Sequence, residues 1–171
     1  LELESNMDKI ARLLKVDKKN TVLKVESLIE ELKVKEKEID ALKNKMAKSI
    51  AEDILDKKQV VDGINLLTYK VENMDANSLR NLGDNLRDRL GTGVVVLASI
   101  NGDKINFVAM VTKDLVEKGI HAGNMIKEVA KIAGGGGGGR PDMAQAGGKD
   151  ITKVDEALEA VSSIVKGQLV K

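Results

Sequence analysis

Six consecutive glycines, Gly134 to Gly139, run directly into Arg140-Pro141. No other stretch restricts the fold as much. Glycine loses more backbone freedom on folding than any other residue. An ordered run of six must therefore achieve something that only bare backbone can. One reading is a flexible linker, although the roughly thirty residues that follow are too few to fold alone. A second is a phosphate cradle of the nucleotide-hydrolase type, which needs Gly-Lys-Ser/Thr at its end and a strand before it. Here a helical pattern precedes and Arg-Pro follows. The third is a structural nest. A helix ends at Ala133 and takes a left-handed glycine cap, and several bare peptide units then run close to backbone or ligand. Pro141 suits the first turn of a short helix. The amides of Gly138, Gly139 and Arg140 would then mark a helix start that favours an anion, with the Arg140 guanidinium beside them.

The rest of the composition narrows the function. Of 171 residues, 42% are hydrophobic, but Tyr69 and Phe107 are the only aromatics. The core is therefore aliphatic, and base-stacking platforms built on exposed rings are excluded. Net charge is +1 although 32% of residues are charged, so phosphate binding has to use a local patch. Without cysteine there is neither a disulfide nor a thiolate zinc site, which fits a reducing compartment. No apolar run approaches the ~20 residues of a membrane helix. The absence of Met at position 1 suggests a fragment of a longer chain.

Two halves differ in character. Up to about Lys58 the chain is free of Gly and Pro and rich in Lys and Glu. Leu3, Met7, Ile10 and Leu14 recur at helical spacing. After "DKKNT", Asn20 or Thr21 can cap a second helix over about 21–57, roughly 55 Å long. Val25, Leu28, Leu32, Ile39, Leu42 and Met46 keep heptad spacing, with Lys35 and Ser49 as polar exceptions. Glu31 and Lys35 stand in the favourable i,i+4 order. Such a stripe needs a partner: the first helix folded back, another part of the parent chain, or a second copy.

The second half predicts an α+β domain of β-α-β-β-α-α order over 59–171, following a helical arm over 1–58. Ile64–Glu72 alternates as a strand. Leu79, Leu82, Leu86 and Leu90 share a helical face, with Asn77 or Ser78 as cap and Gly91 as stop. Val94–Ile100 reads as a buried strand, Asn101-Gly102 as a hairpin turn, and Ile105–Thr112 as the return. Helices are expected over 114–119, 123–133 and 152–166, with the glycines forming a loop over 134–139.

The stretch "AGNMIKEVAKIAGGGGGGRPDMAQAGGKD" closely resembles the C-terminal domain of the bacterial alanyl-tRNA synthetases, in which a glycine run followed by Arg-Pro-Asp and Ala-Gln-Ala-Gly-Gly is the hallmark. "LLKV", the long helix and the element order extend the resemblance over essentially the whole chain. That domain is related to the nucleic-acid-binding module of DHH phosphodiesterases, which carries a histidine after its glycines. This chain has Gly137, Gly138, Gly139 and Arg140 there. The resemblance implies a cytoplasmic, non-catalytic tRNA-binding appendage. It would hold the elbow of an alanine-specific tRNA and so link aminoacylation with editing. It also implies that dimerisation through the arm or the globular domain is an alternative role. ATP and zinc would belong elsewhere in the parent chain, because one His and no Cys cannot build the family's editing site.

For such a domain the expected contacts are Gly134, Gly135, Gly136, Gly137, Gly138, Gly139, Arg140, Lys127, Lys131, Gln145 and Lys149. Lys127 and Lys131 share a helix face at i,i+4, opposed only by Glu128. His121 is expected to cap or border a helix. Asp84 and Asp88, beside Arg80 and Arg87, read as a solvated face. Ser78, Ser99, Ser162 and Ser163 have no nucleophile context.

Overall fold

The computed structural model describes residues 1–169. The chain divides into two compact units, Leu1–Lys48 and Ser49–Lys171. In the first, α1 (Glu2–Leu14) ends on Lys15 in the left-handed conformation, φ 55°. A short 3-10 turn, Lys18–Asn20, follows an extended Asp17 and leads directly into α2 (Thr21–Leu55). Thr21 is therefore inside the helical stretch and not its cap, and its hydroxyl donates to Lys18 O at 2.8 Å. Lys35 pairs with Glu38 at 2.9 Å instead of Glu31. The heptad residues stay exposed: Leu32 is 61%, Leu42 61% and Met46 64% accessible. Within this unit the first helix does not cover the stripe.

The second unit is one six-stranded sheet in the order β1-β2-β3-β4-β6-β5. β1 (Gln59–Val61) and β2 (Ile64–Glu72) form a hairpin through Asp62-Gly63. Both turn residues have positive φ, 49° and 77°, which is the turn that matches strand twist. β2 runs parallel to β3 (Val94–Asn101), and α3 (Ala76–Leu90) makes the crossover between them. β4 (Lys104–Val111) returns antiparallel, with Asn101 opposite Lys104, so the tight turn is Gly102-Asp103. α4 (Lys113–Glu117) and α5 (Ala122–Ile132) follow. Next come β5 (Gly136–Gly139), β6 (Met143–Gly148) and α6 (Val154–Leu169).

Strand alternation sends side chains to two aliphatic cores. On one face Leu67, Val71, Val95, Leu97, Val108 and Met110 pack under Leu79, Leu82 and Leu86 of α3, together with Ala51 and Ile54 from the end of α2. On the other, Val94, Val96, Ile105, Phe107 and Ala109 meet α5 and α6 through Ile126, Val129, Val161 and Val165. Val94–Ala98 is buried throughout, as expected of a strand covered on both faces.

Three strands were not legible as such. β1 is three residues long, and β5 and β6 lie in sequence too rich in glycine and alanine to carry a strand signal. The order β-α-β-β-α-α is thus completed by a leading strand and a hairpin inserted before the last helix. Asp75, not Asn77 or Ser78, caps α3 by accepting from Ser78 N–H at 2.7 Å.

The entry to α3 is fixed from β3. Buried Ser99 accepts from Met74 N–H at 3.1 Å and donates to Met74 O at 2.5 Å, and Asn101 Nδ2 donates to the same carbonyl at 2.8 Å. Ser99, a residue without nucleophile context, is therefore a structural clamp. Ser99→Ala strands a buried amide and should cost about 1–3 kcal/mol, measurable as a lower denaturation midpoint at unchanged slope.

Candidate nucleic-acid interface

The glycine segment is neither linker, phosphate loop nor helix start. Gly134 caps α5 with φ 68°. Its N–H donates to Lys131 O at 3.2 Å, and that of Gly135 to Ala130 O at 2.8 Å. These are the paired bonds of a Schellman stop. From Gly136 the chain is extended and pairs antiparallel with β6, with Gly136 opposite Gly147 and Gly139 opposite Ala144. The expected loop over 134–139 is thus an edge strand.

Arg140-Pro141-Asp142 is the hairpin turn, closed by Arg140 N–H donating to Met143 O at 2.9 Å. Pro141 starts no helix. The turn instead caps α5: Ala122 N–H donates to Pro141 O at 2.8 Å and Gly123 N–H to Arg140 O at 3.1 Å. His121 Nδ1 accepts from Asn124 N–H at 3.1 Å, the capping role anticipated for it. The first amides of α5 are therefore taken, and no free helix start faces an anion here.

At the other end of α5, Lys149 and Asp150 N–H both donate to Ala133 O at 3.0 Å. The 11 residues of α5 advance about 16 Å. Gly134 to Arg140, extended, covers about 20 Å. The strand therefore runs back along the whole helix and is tied to both ends of it.

This close fit explains part of the glycine run. A Cβ on Gly135 would strike Gly147 O, and one on Gly137 would strike Ala146 and Gln145 O. A Cβ on Gly139 would meet Ala144 Cα and Met143 O at 2.7 Å. Gly123, on α5, has no room beside Gly139 O.

The expected contact residues separate into groups. Lys127, Lys131 and Lys149 are exposed, and Lys127 Cε lies 3.1 Å from where a Cβ of Gly138 would stand. Gln145 is also exposed, but its strand parity places it with Val108 and Met143, opposite the α5 side. Arg140 is not a lone guanidinium. Its Nε and Nη2 donate to the two oxygens of Asp142 at 3.0 and 3.2 Å, and this hydrogen bond holds the Asp142 carboxyl below its ordinary pKa. Asp84 and Asp88 both pair with Arg87, a solvated face as anticipated.

A cavity of about 260 Å³ opens over the hairpin, lined by Ala76, Leu79, Asn106, Gly136, Gln145 and Gly147, among others. Asn106, Gly147, Ala76 and Leu79 were not anticipated there. Gly147-Gly148 at the end of an alternating strand was the one available signal.

With this geometry in place the relationship is direct: the chain belongs to the DHHA1 domain family, whose model matches residues 63–167. It is similar to the alanine–tRNA ligase of Alkaliphilus oremlandii, with 52% identity over 166 residues, and to that of Acetivibrio thermocellus, with 49% over 168. These alignments cover 97% and 98% of this chain but 19% of each relative, so the chain spans about a fifth of their length. The C-Ala domain from Aquifex aeolicus alanyl-tRNA synthetase superimposes with a TM-score of 0.61 at 43% identity. That match covers 64% of this chain and 98% of that one.

Two outcomes are expected. Gly137→Ala should lower stability by about 1–3 kcal/mol through overpacking, whereas Gly136→Ala should stay within about 1 kcal/mol of the unsubstituted chain, both read by chemical denaturation. Asp142, with its folded pKa lowered, contributes stability that is present above its unfolded pKa and lost as pH falls through the folded value. Its carboxyl should titrate below the ordinary range by NMR and return toward it in Arg140→Ala.

Proposed function

We propose that the chain is the tRNA-binding C-terminal part of an alanine–tRNA ligase, without catalytic residues of its own. In this reading it holds the elbow of alanine-specific tRNA, and aminoacylation and editing are carried by the rest of the parent chain. The observation that carries the reading is the exposed glycine edge strand with a bare, open position at Gly136. Bare backbone lets an RNA surface approach where side chains would hold it off. The similarity to alanine–tRNA ligases along nearly the full chain supports the choice of partner.

Recognition of a folded RNA surface relies on shape and backbone contacts. Lys127, Lys131 and Lys149 are the cations nearest the hairpin, and Arg140 is shared with Asp142. A modest, salt-sensitive contact follows. Titration of the chain with alanine-specific tRNA over a range of salt tests this directly. Replacing Lys127, Lys131 and Lys149 together by Ala should flatten the slope of log K against log salt by about 0.7–0.9 for each phosphate that these lysines neutralise. Unchanged affinity and slope would remove the lysines from the interface. Failure of the unsubstituted chain to bind tRNA would remove the function.

The exposed stripe on α2 supports a second role, pairing of two chains. Leu32, Leu42 and Met46 remain largely accessible, and heptad stripes of this kind are normally buried by a partner helix. Leu32→Glu with Leu42→Glu should convert a sedimenting dimer to monomer. An unsubstituted chain that is monomeric at high concentration would dismiss the dimer.

A further inference from the structure

We infer that the cavity over the β4–β6–β5 face is a nucleobase-binding shelf, floored by Gly147 and Gly136 and edged by the carboxamides of Asn106 and Gln145. The glycines of this chain fall into those the fold requires and those it does not. Outside left-handed conformations, only Gly136, Gly147 and Gly167 would meet nothing closer than 3.7 Å on gaining a Cβ. Gly167 lies apart, near the end of α6. Gly136 and Gly147 are paired directly across β5 and β6, and both line the same cavity.

Asn106 stands opposite Gly147 on β4, so one cross-strand row reads Asn106, Gly147, Gly136. Neighbouring strands lie about 4.8 Å apart, so the two glycines expose a flat strip of peptide roughly one strand spacing wide. Every other position on this face of β4 and β6 carries a side chain. The fold therefore leaves a bare strip at the one row where a side chain would be sterically free.

The boundary of the strip is chemically specific. Ala76 and Leu79, at the start of α3, make one wall apolar. Asn106 and Gln145 lie diagonally across β4 and β6 on this face. Their side-chain amides make no hydrogen bond among the described residues, and no charged residue lines the cavity. A phosphate has no partner there. A flat, uncharged ring with donors and acceptors at its edge does: its face lies on bare peptide, and carboxamides offer paired donor and acceptor to a base edge. The chain has no exposed ring platform to stack a base, and the glycine strip supplies a flat surface in its place.

The source of the base rests on the tRNA reading above; the shelf itself does not. The test compares the unsubstituted chain with Gly147→Leu and Gly136→Leu, each of which fills the strip, in titrations with tRNA and separately with nucleoside monophosphates. Asn106→Ala with Gln145→Ala serves as a second variant that leaves the backbone untouched. The expected result is a tenfold or greater loss of tRNA affinity in each variant, with an unchanged salt slope, since no cation is altered, and with unaltered thermal unfolding. Base-specific chemical probing should show a protected base that becomes reactive in the variants. If tRNA binds the unsubstituted chain and all variants equally, the shelf is overturned while tRNA binding stands. If tRNA fails to bind but mononucleotides bind the unsubstituted chain and not the variants, the shelf stands and serves a free nucleotide. If neither ligand binds the unsubstituted chain, the shelf is overturned along with the tRNA reading.

Discussion

The amides at the start of α5 and the carbonyls at its end find their partners in the segment that follows the helix. Ala122 and Gly123 donate into the turn at Arg140-Pro141, while Ala130, Lys131 and Ala133 accept from Gly134, Gly135, Lys149 and Asp150. A helix leaves such groups unpaired at each terminus, and burial without partners would be costly. Here the hairpin supplies them at both ends. The strand returning along the helix is consequently held at two fixed points about one helix length apart. Its path, and its distance from α5, follow from that constraint.

A strand so close to a helix and to its own hairpin partner has no space for alternate side chains. Gly135, Gly137 and Gly139 are accounted for in this way. The intervening positions face outward and are not crowded in the same way, and there the absence of side chains shapes a surface. One short segment therefore serves packing through its odd-numbered glycines and surface shape through Gly136. The β2–α3–β3 crossover contributes the rest of that surface, because the Ser99–Met74 clamp sets where α3 begins and thus where the wall at Ala76 and Leu79 stands.

Periodicity revealed most of the fold. β2 coincides with the alternating run Ile64–Glu72, and the leucines of α3 at 79, 82 and 86 face the core as their spacing requires. The stop at Gly134 and the cap at His121 were also readable, since both depend on local chain chemistry. The hairpin was not. A strand of four glycines has no alternation to detect, and Pro141 fits a tight turn as readily as a helix start. The Arg140–Asp142 pair, two residues apart, forms only because that turn curls back. Asn106 and Gly147 are 41 positions apart in the numbering and become neighbours only through the β4–β6 register. No local pattern encodes that proximity.

Native-state amide hydrogen exchange tests the two-ended clamp most directly. If α5 and the hairpin are one hydrogen-bonded unit, the amides of Ala122, Gly123, Gly135 and Lys149 exchange slowly and open together, with a common free energy. Rapid exchange at Gly135 and Lys149, while the amides within α5 stay protected, would mean that the glycine segment is untethered and that β5 is not its resting state.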